Sequence, residues 1–151
     1  SLGETVKDFD TELDVNMDAF IPENYVSSPP SRMDCYKQIA EIKTAADEER
    51  VRSSLEDNYG KVPVEVDNLI LIAKLKVAAR KHNAVKISLS GKRAEIVLNG
   101  IDSLKEEGFL DRINSRKNVV TPAFRENPAL EFAIRETPRD TAEEMLDFFD
   151  F

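Results

Sequence analysis

Residues 63–99 read PVEVDNLILIAKLKVAARKHNAVKISLSGKRAEIVLN, and the repeat of the apolar residues changes inside this stretch. Up to about Asn83, the residues Val66, Leu69, Ile70, Leu71, Ile72, Ala73, Leu75, Val77, Ala78 and Ala79 cover most of a helix circumference. A helix that is apolar most of the way round belongs in a core. Pro63 suits its first position. Arg80, Lys81 and His82 put cations in its last turn, where they complement the helix dipole. From Val85 onward the period is two. Val85, Ile87 and Leu89 alternate with Lys86, Ser88 and Ser90; after Gly91-Lys92, Ala94, Ile96 and Leu98 alternate with Glu95 and Asn99. Two alternating runs about a Gly-containing turn predict a β-hairpin.

Towards the N-terminus the pattern is helical. Val51, Leu55 and Tyr59 form an i, i+4, i+8 stripe, with Thr44 as its predicted cap and Asp47 and Glu48 in the first turn. Gly60 follows as a C′ residue and Pro63 stops continuation. Further upstream, Met33, Tyr36, Ile39 and Ala40 recur at helical spacing, and Ser31 is the expected N-cap, just after the Ser27-Ser28-Pro29-Pro30 loop. Leu13, Val15 and Met17 alternate with acids and Asn16, predicting a half-buried strand. Towards the C-terminus, Ile101, Leu104, Leu110 and Ile113 predict a helix weakened by Gly108. Val119-Val120 and Leu130, Phe132, Ile134 predict short strands. Thr141 with Glu144 has the spacing of a capping box, opening a last helix with Met145, Leu146, Phe148 and Phe149. The expected class is α+β: an N-terminal strand and a three-helix half, then a small antiparallel sheet with one or two further helices.

The 151 residues suit one domain with a substantial core. Asp and Glu outnumber Lys and Arg by 29 to 21, a net charge of -8, so phosphate backbones are repelled at long range and a basic partner surface is favoured. The lone Cys35 excludes an internal disulfide and a cysteine-rich zinc site, in keeping with a reducing compartment. The longest apolar run, Leu69 to Ala73, is far short of the roughly 20 residues of a membrane span. The first residues lack the regions of a signal peptide. The expected location is cytoplasmic, away from membranes.

Few residues stand in patterns that carry chemistry. Gly3, Gly60, Gly91, Gly100 and Gly108 have no phosphate-loop or dinucleotide spacing. His82 has no evident nucleophile to serve and is expected to be a surface residue complementing the dipole. Cys35 reads as a small buried hydrophobe. The acid pairs Glu48-Glu49, Glu56-Asp57, Glu106-Glu107 and Glu143-Glu144 read as solvated faces, and a free-standing hydrolase built on one of them is the least favoured reading. Lys74, Lys76, Arg80, Lys81, Lys86, Lys92 and Arg93 form a basic stretch over 74–93, the basis of an alternative reading as an accessory nucleic-acid-binding module. No aromatics interleave with it for base stacking.

One longer pattern is specific. Asp18-Ala19-Phe20-Ile21-Pro22-Glu23-Asn24-Tyr25-Val26 precedes Arg32-Met33 and Tyr36-Lys37-Gln38-Ile39-Ala40. Leu55-Glu56-Asp57-Asn58-Tyr59-Gly60 comes next, then Pro63, Val66, Asn68-Leu69-Ile70, Ile72-Ala73, Leu75-Lys76 and Ala78. In order and spacing this resembles the C-terminal (TRCF) domain of the bacterial transcription-repair coupling factors, the Mfd proteins. The resemblance is specific over residues 10–80 and rests only on element order from 84 onward. It implies that residues 1–20 lead out of an upstream translocase motor and that 21–151 form a single terminal domain. The parent it implies is an ATP-driven translocase on duplex DNA that displaces stalled RNA polymerase and recruits UvrA. ATP and magnesium would belong to that motor, with no cofactor and no catalysis in this fragment. In the family this domain docks on the UvrA-binding domain of the same protein and masks it, against a surface that uses arginines. There the helix before the Gly presents a Glu and an Asp three residues apart. The matching positions are Ser54 and Asp57, so one carboxylate is kept and one is missing; Asn58 stands where the family usually has Arg. Glu56 and Arg50 are the nearby charges available to compensate. The resemblance thus implies a partner interface of Arg50, Ser54, Glu56 and Asp57.

Overall fold

The computed structural model describes residues 9–151, so the first part of the predicted lead-in, residues 1–8, lies outside the described residues. The chain condenses into two compact units: Met17–Val77, and the residues up to Asn16 together with Ala78–Phe151.

The Met17–Val77 unit holds helices α1 (Pro29–Ala40), α2 (Ala45–Tyr59) and most of α3 (Val64–Lys81). Its core is Ile21, Val26, Cys35, Ile39, Ile42, Leu55, Val66 and Ile70. Cys35 is buried as a small hydrophobe, and burial pushes its thiol pKa up. Side chains fix the loop before α1: the Tyr36 hydroxyl accepts from the Ile21 N–H at 2.9 Å, and the Asn68 amide donates to the Asp18 carbonyl at 2.9 Å. The predicted cap of α1 moves. Pro29 and Pro30 occupy the first helical turn and Ser28, not Ser31, is the N-cap. The physical reason is that the first-turn N–H groups need no intrahelical partner, so prolines that lack them start the helix. On α2 the predicted cap holds. Thr44 and Asp47 form a reciprocal capping box, and Gly60 takes φ +89° just past the helix.

The second unit is built on a five-stranded sheet of order β1-β2-β3-β5-β4, with β1 at Glu12–Val15, β2 at Ala84–Leu89, β3 at Ala94–Leu98, β4 at Val120–Ala123 and β5 at Ala129–Phe132. The hairpin stands as predicted, pairing Ile87 with Ile96. The N-terminal strand joins the same sheet, parallel to β2, with Leu13 opposite Ile87. A parallel pair needs a long connection, and here residues 16–83 supply it. One face of the sheet carries Ile87, Leu89, Ile96, Leu98, Leu130 and Phe132, all buried. Phe109 and Ile113 of α4 (Phe109–Ser115) and Met145 and Phe148 of α5 (Pro138–Phe148) are buried in the same unit. The α+β class is therefore observed, with a mixed sheet of five strands.

Two local expectations change. Residues 101–113 are not one helix: a 3-10 turn at Ile101–Lys105 and α4 are separated at Gly108, whose φ of +83° no helix continues through. The α5 cap is Thr137, which accepts from the Asp140 N–H at 3.1 Å, and Pro138 fills the first turn. Thr141 is instead buried within the helix. Its hydroxyl donates to the Thr137 carbonyl at 3.3 Å and accepts from the Arg135 N–H at 3.0 Å.

His82 is not a surface residue. It is 4% exposed, with Nδ1 2.7 Å from a Glu106 carboxylate oxygen. Its ring stacks on Phe149 at 5.4 Å and on Phe151 at 4.5 Å between centroids, and meets the edge of Phe109. The C-terminal phenylalanines thus pack around the end of α3 within this unit.

Candidate functional site

The predicted interface residues all lie on α2, but the helix divides them. Arg50, Ser54 and Asp57 line one shallow, open depression together with Ala46, Glu49, Ser53 and Asn58. The spacing explains this, since residues three and four apart share a helix face. Glu56 points elsewhere. It lines a separate depression with Arg52, Lys61, Val62, Pro63, Val64 and Asp67. It therefore cannot replace the carboxylate missing at Ser54.

Three groups on the Asp57 face have defined states. Arg50 is engaged by the Asp47 carboxylate on its own helix. The Asn58 amide folds back and donates to the Ser54 carbonyl at 2.8 Å. Asp57 is exposed and makes no ion pair or hydrogen bond among the described residues. An exposed carboxylate without a partner is open to an incoming cation.

The position of this face is set from behind. Leu55 is buried in the core, and the Tyr25 hydroxyl donates to the Gly60 carbonyl at 2.9 Å and reaches the Leu55 carbonyl at 3.3 Å. Burial, then the nearby Glu56 charge, raises the Tyr25 pKa, keeping the hydroxyl protonated as a donor. At the other end, Glu48 receives Arg52 at 2.9 Å and Lys74 at 2.9 Å, and Arg52 also reaches Asp67 at 2.5 Å. Burial pushes the Glu48 carboxyl up, but the hydrogen bonds and charges of Lys74 and Arg52 more than offset this and hold it below its ordinary value. Asp47 is also lowered, first by the Lys43 backbone N–H, against an opposing contribution from burial, and then by Arg50 and Thr44.

The sequence reading missed Ala46, Glu49 and Ser53 as parts of this face. Counting back from Asp57 in steps of three and four residues finds Ser53 and Ser54, then Arg50 and Glu49, then Ala46.

The basic stretch is divided between the two compact units. Lys74 and Lys76 belong to one compact unit and the other five cations to the second. Lys74 pairs with Glu48, Lys86 with Glu12 at 3.2 Å and Arg93 with Glu95 at 3.0 Å, while Arg80 donates to the Phe9 carbonyl at 3.0 Å. Four of the seven cations are thus engaged by carboxylates or a carbonyl, and these four lend the nucleic-acid reading no support. The acid pairs are likewise occupied or exposed: Glu106 meets His82, Glu143 pairs with Arg139 and Glu144 with Arg135, and Glu56 and Asp57 face solvent. Among the described residues no group of His, Cys, Asp and Glu has the arrangement of a metal site, and no helix is long and apolar enough to cross a membrane.

Comparison with known proteins agrees with the resemblance. A family model for the TRCF domain matches residues 15–109, which span the three helices and the hairpin. A transcription-repair-coupling factor from Borreliella burgdorferi is 27% identical over 125 residues, covering 82% of this chain and 11% of the relative. One from Bacillus subtilis is 35% identical over 82 residues, covering 53% of this chain and 7% of the relative. The chain thus spans about a tenth of the length of the curated relatives it matches. The crystal structure of the C-terminal domain of a transcription-repair coupling factor superposes with a TM-score of 0.77 at 21% identity, covering 93% of this chain and 89% of that one, so the fold is shared well past the matched segment. The chain belongs to the TRCF domain family, and its fold is that of the C-terminal domain of the transcription-repair coupling factors.

Proposed function

We propose that this domain is a non-catalytic docking module of a cytoplasmic transcription-repair coupling factor, and that it masks the UvrA-binding domain of the same protein. Residues 1–20 lead in from the motor and 21–151 form the terminal domain. The observation that carries the reading is the unpaired, exposed Asp57 carboxylate on a helix face whose position the capping box and Tyr25 fix. ATP hydrolysis, magnesium, duplex DNA and RNA polymerase belong to the parent's other domains in this reading, and UvrA is met only when the mask lifts. The mask must be marginal, because a ligand can open it only by its differential affinity for the open state. With Ser54 in place of a second carboxylate, the latch is held by fewer charge-assisted bonds than the family pattern provides.

The test is calorimetric titration of this chain into the UvrA-binding domain of the same protein at low salt. Saturable association weakened by Asp57→Arg is expected. No association at the highest soluble concentrations would defeat the reading.

A further inference from the structure

Among the described residues β1 is an edge strand. It stands first in the sheet order and, among those residues, pairs with β2 alone. The Asn16 N–H donates to the Leu89 carbonyl at 2.7 Å, which fixes the phase of the ladder. In a parallel ladder alternate residues face the neighbour. Glu12, Asp14 and Asn16 therefore direct their backbone groups at β2, and Leu13 and Val15 direct their N–H and C=O groups away from the sheet. No strand among the described residues receives them. Leu13 is 38% exposed, and Glu12 and Asp14 are exposed beside it. The opposite edge is less inviting, because β4 carries Pro122, which has no N–H.

Charge selects the occupant. From Asp10 to Asp18 the chain carries Asp10, Glu12, Asp14 and Asp18 and no Lys or Arg. Of the two acids on β1, Glu12 pairs with Lys86, while Asp14 has no partner among the described residues. A second copy of this edge would set acid against acid across the new ladder, which is destabilising. A strand with Lys or Arg at alternate positions would set cations there instead. We propose that the β1 edge is a docking site for an extended, Lys- or Arg-bearing segment of a partner protein, which adds to the sheet as a further strand through the backbone groups of Leu13 and Val15. Backbone pairing supplies the affinity in this mode, and alternate side chains supply the choice of partner. The site shares no residue with the α2 face, which belongs to the other compact unit.

The probe is a short capped peptide alternating Lys with Val, read by amide hydrogen exchange of this chain in NMR, with a Glu/Val peptide as its counterpart. The Lys/Val peptide at millimolar concentration is expected to slow exchange at the Leu13 and Val15 amides about tenfold or more, and the effect should shrink as salt rises. The Glu/Val peptide should leave both amides unchanged. Leu13→Pro removes one outward N–H that β2 does not use, and should abolish the protection while preserving the spectrum of the other strands. Asp14→Lys changes only an exposed side chain and should weaken the Lys/Val peptide about tenfold, while giving the Glu/Val peptide an effect. Unchanged exchange with the Lys/Val peptide, equal protection by both peptides, or concentration-dependent dimerisation through β1 would each overturn the proposal.

Discussion

At position 54 a hydroxyl stands one turn before an unpaired carboxylate, and in the proposed docking this sets how tightly the α2 face holds a cationic partner. Ser54→Glu would place a second carboxylate on the face of Asp57, where Asn58 now rests on the Ser54 backbone. The expected result is tighter association with the UvrA-binding domain by about tenfold, the size of one added charge-assisted bond. Asp57→Arg should weaken association by at least as much, and titration of both variants checks the pair. That Arg50, Ser54 and Asp57 share one face was legible in the sequence, because a helix face depends only on spacing within α2. His82 was not legible, because its neighbours Glu106, Phe149 and Phe151 are distant in sequence and only the fold gathers them. Replacing it tests that cluster. His82→Ala leaves a void between stacked rings and should cost on the order of 2–4 kcal/mol. His82→Phe keeps an aromatic surface and loses chiefly the Glu106 bond, for about 1 kcal/mol. Urea denaturation of the two variants distinguishes packing from hydrogen bonding at this site.

Among the elements, those that announce themselves by local chemistry were read correctly, and those whose ends depend on a choice between neighbouring residues were shifted. The Thr44 cap of α2 and its Gly60 stop follow from residues within one turn of the helix ends. Ser28 and Ser31 compete to cap α1, and the prolines between them decide for Ser28. Thr137 and Thr141 compete at α5, and Pro138 decides in the same way for Thr137. The first turn of α2 also carries a pH dependence whose sign is fixed. Asp47 and Glu48 both titrate below their ordinary values in the folded chain. The unfolded chain therefore binds more protons in acid. The stability they supply is complete above about pH 5 and is lost as pH falls below about 4, through the lowered folded values. Urea midpoints measured from neutral pH downward should fall over this range. Glu48→Gln should be less stable than the parent near neutrality and lose less on acidification. Glu49→Gln, at an exposed neighbouring position, should track the parent.

For the molecule as a whole, the sheet shows what a sequence reading cannot reach. The hairpin was legible because its two strands adjoin in sequence. The parallel pairing of β1 with β2 was hidden because residues 16–83 separate them, and no periodicity within β1 names its neighbour. The net charge of -8, in contrast, is a property of the whole chain that needs no fold to be read, and it bears on kinetics more than on affinity. A domain of this charge approaching an arginine-bearing surface is steered over distances comparable to the screening length, roughly 10 Å at 0.1 M salt and 3 Å at 1 M. In the proposed complex Asp57 and its cationic partner would lie within hydrogen-bond reach, where screening by mobile ions is weaker. Raising salt from low to about 0.5 M should therefore slow association by about tenfold or more and change dissociation much less. Asp57→Arg should show the opposite division, with dissociation faster and the slope of association against salt only slightly reduced, since one residue changes little of the long-range field. Stopped-flow measurement of both rates separates the two effects. A salt-insensitive association rate would mean that the surface facing this domain is not basic, and the α2 carboxylate would then have no cation to meet.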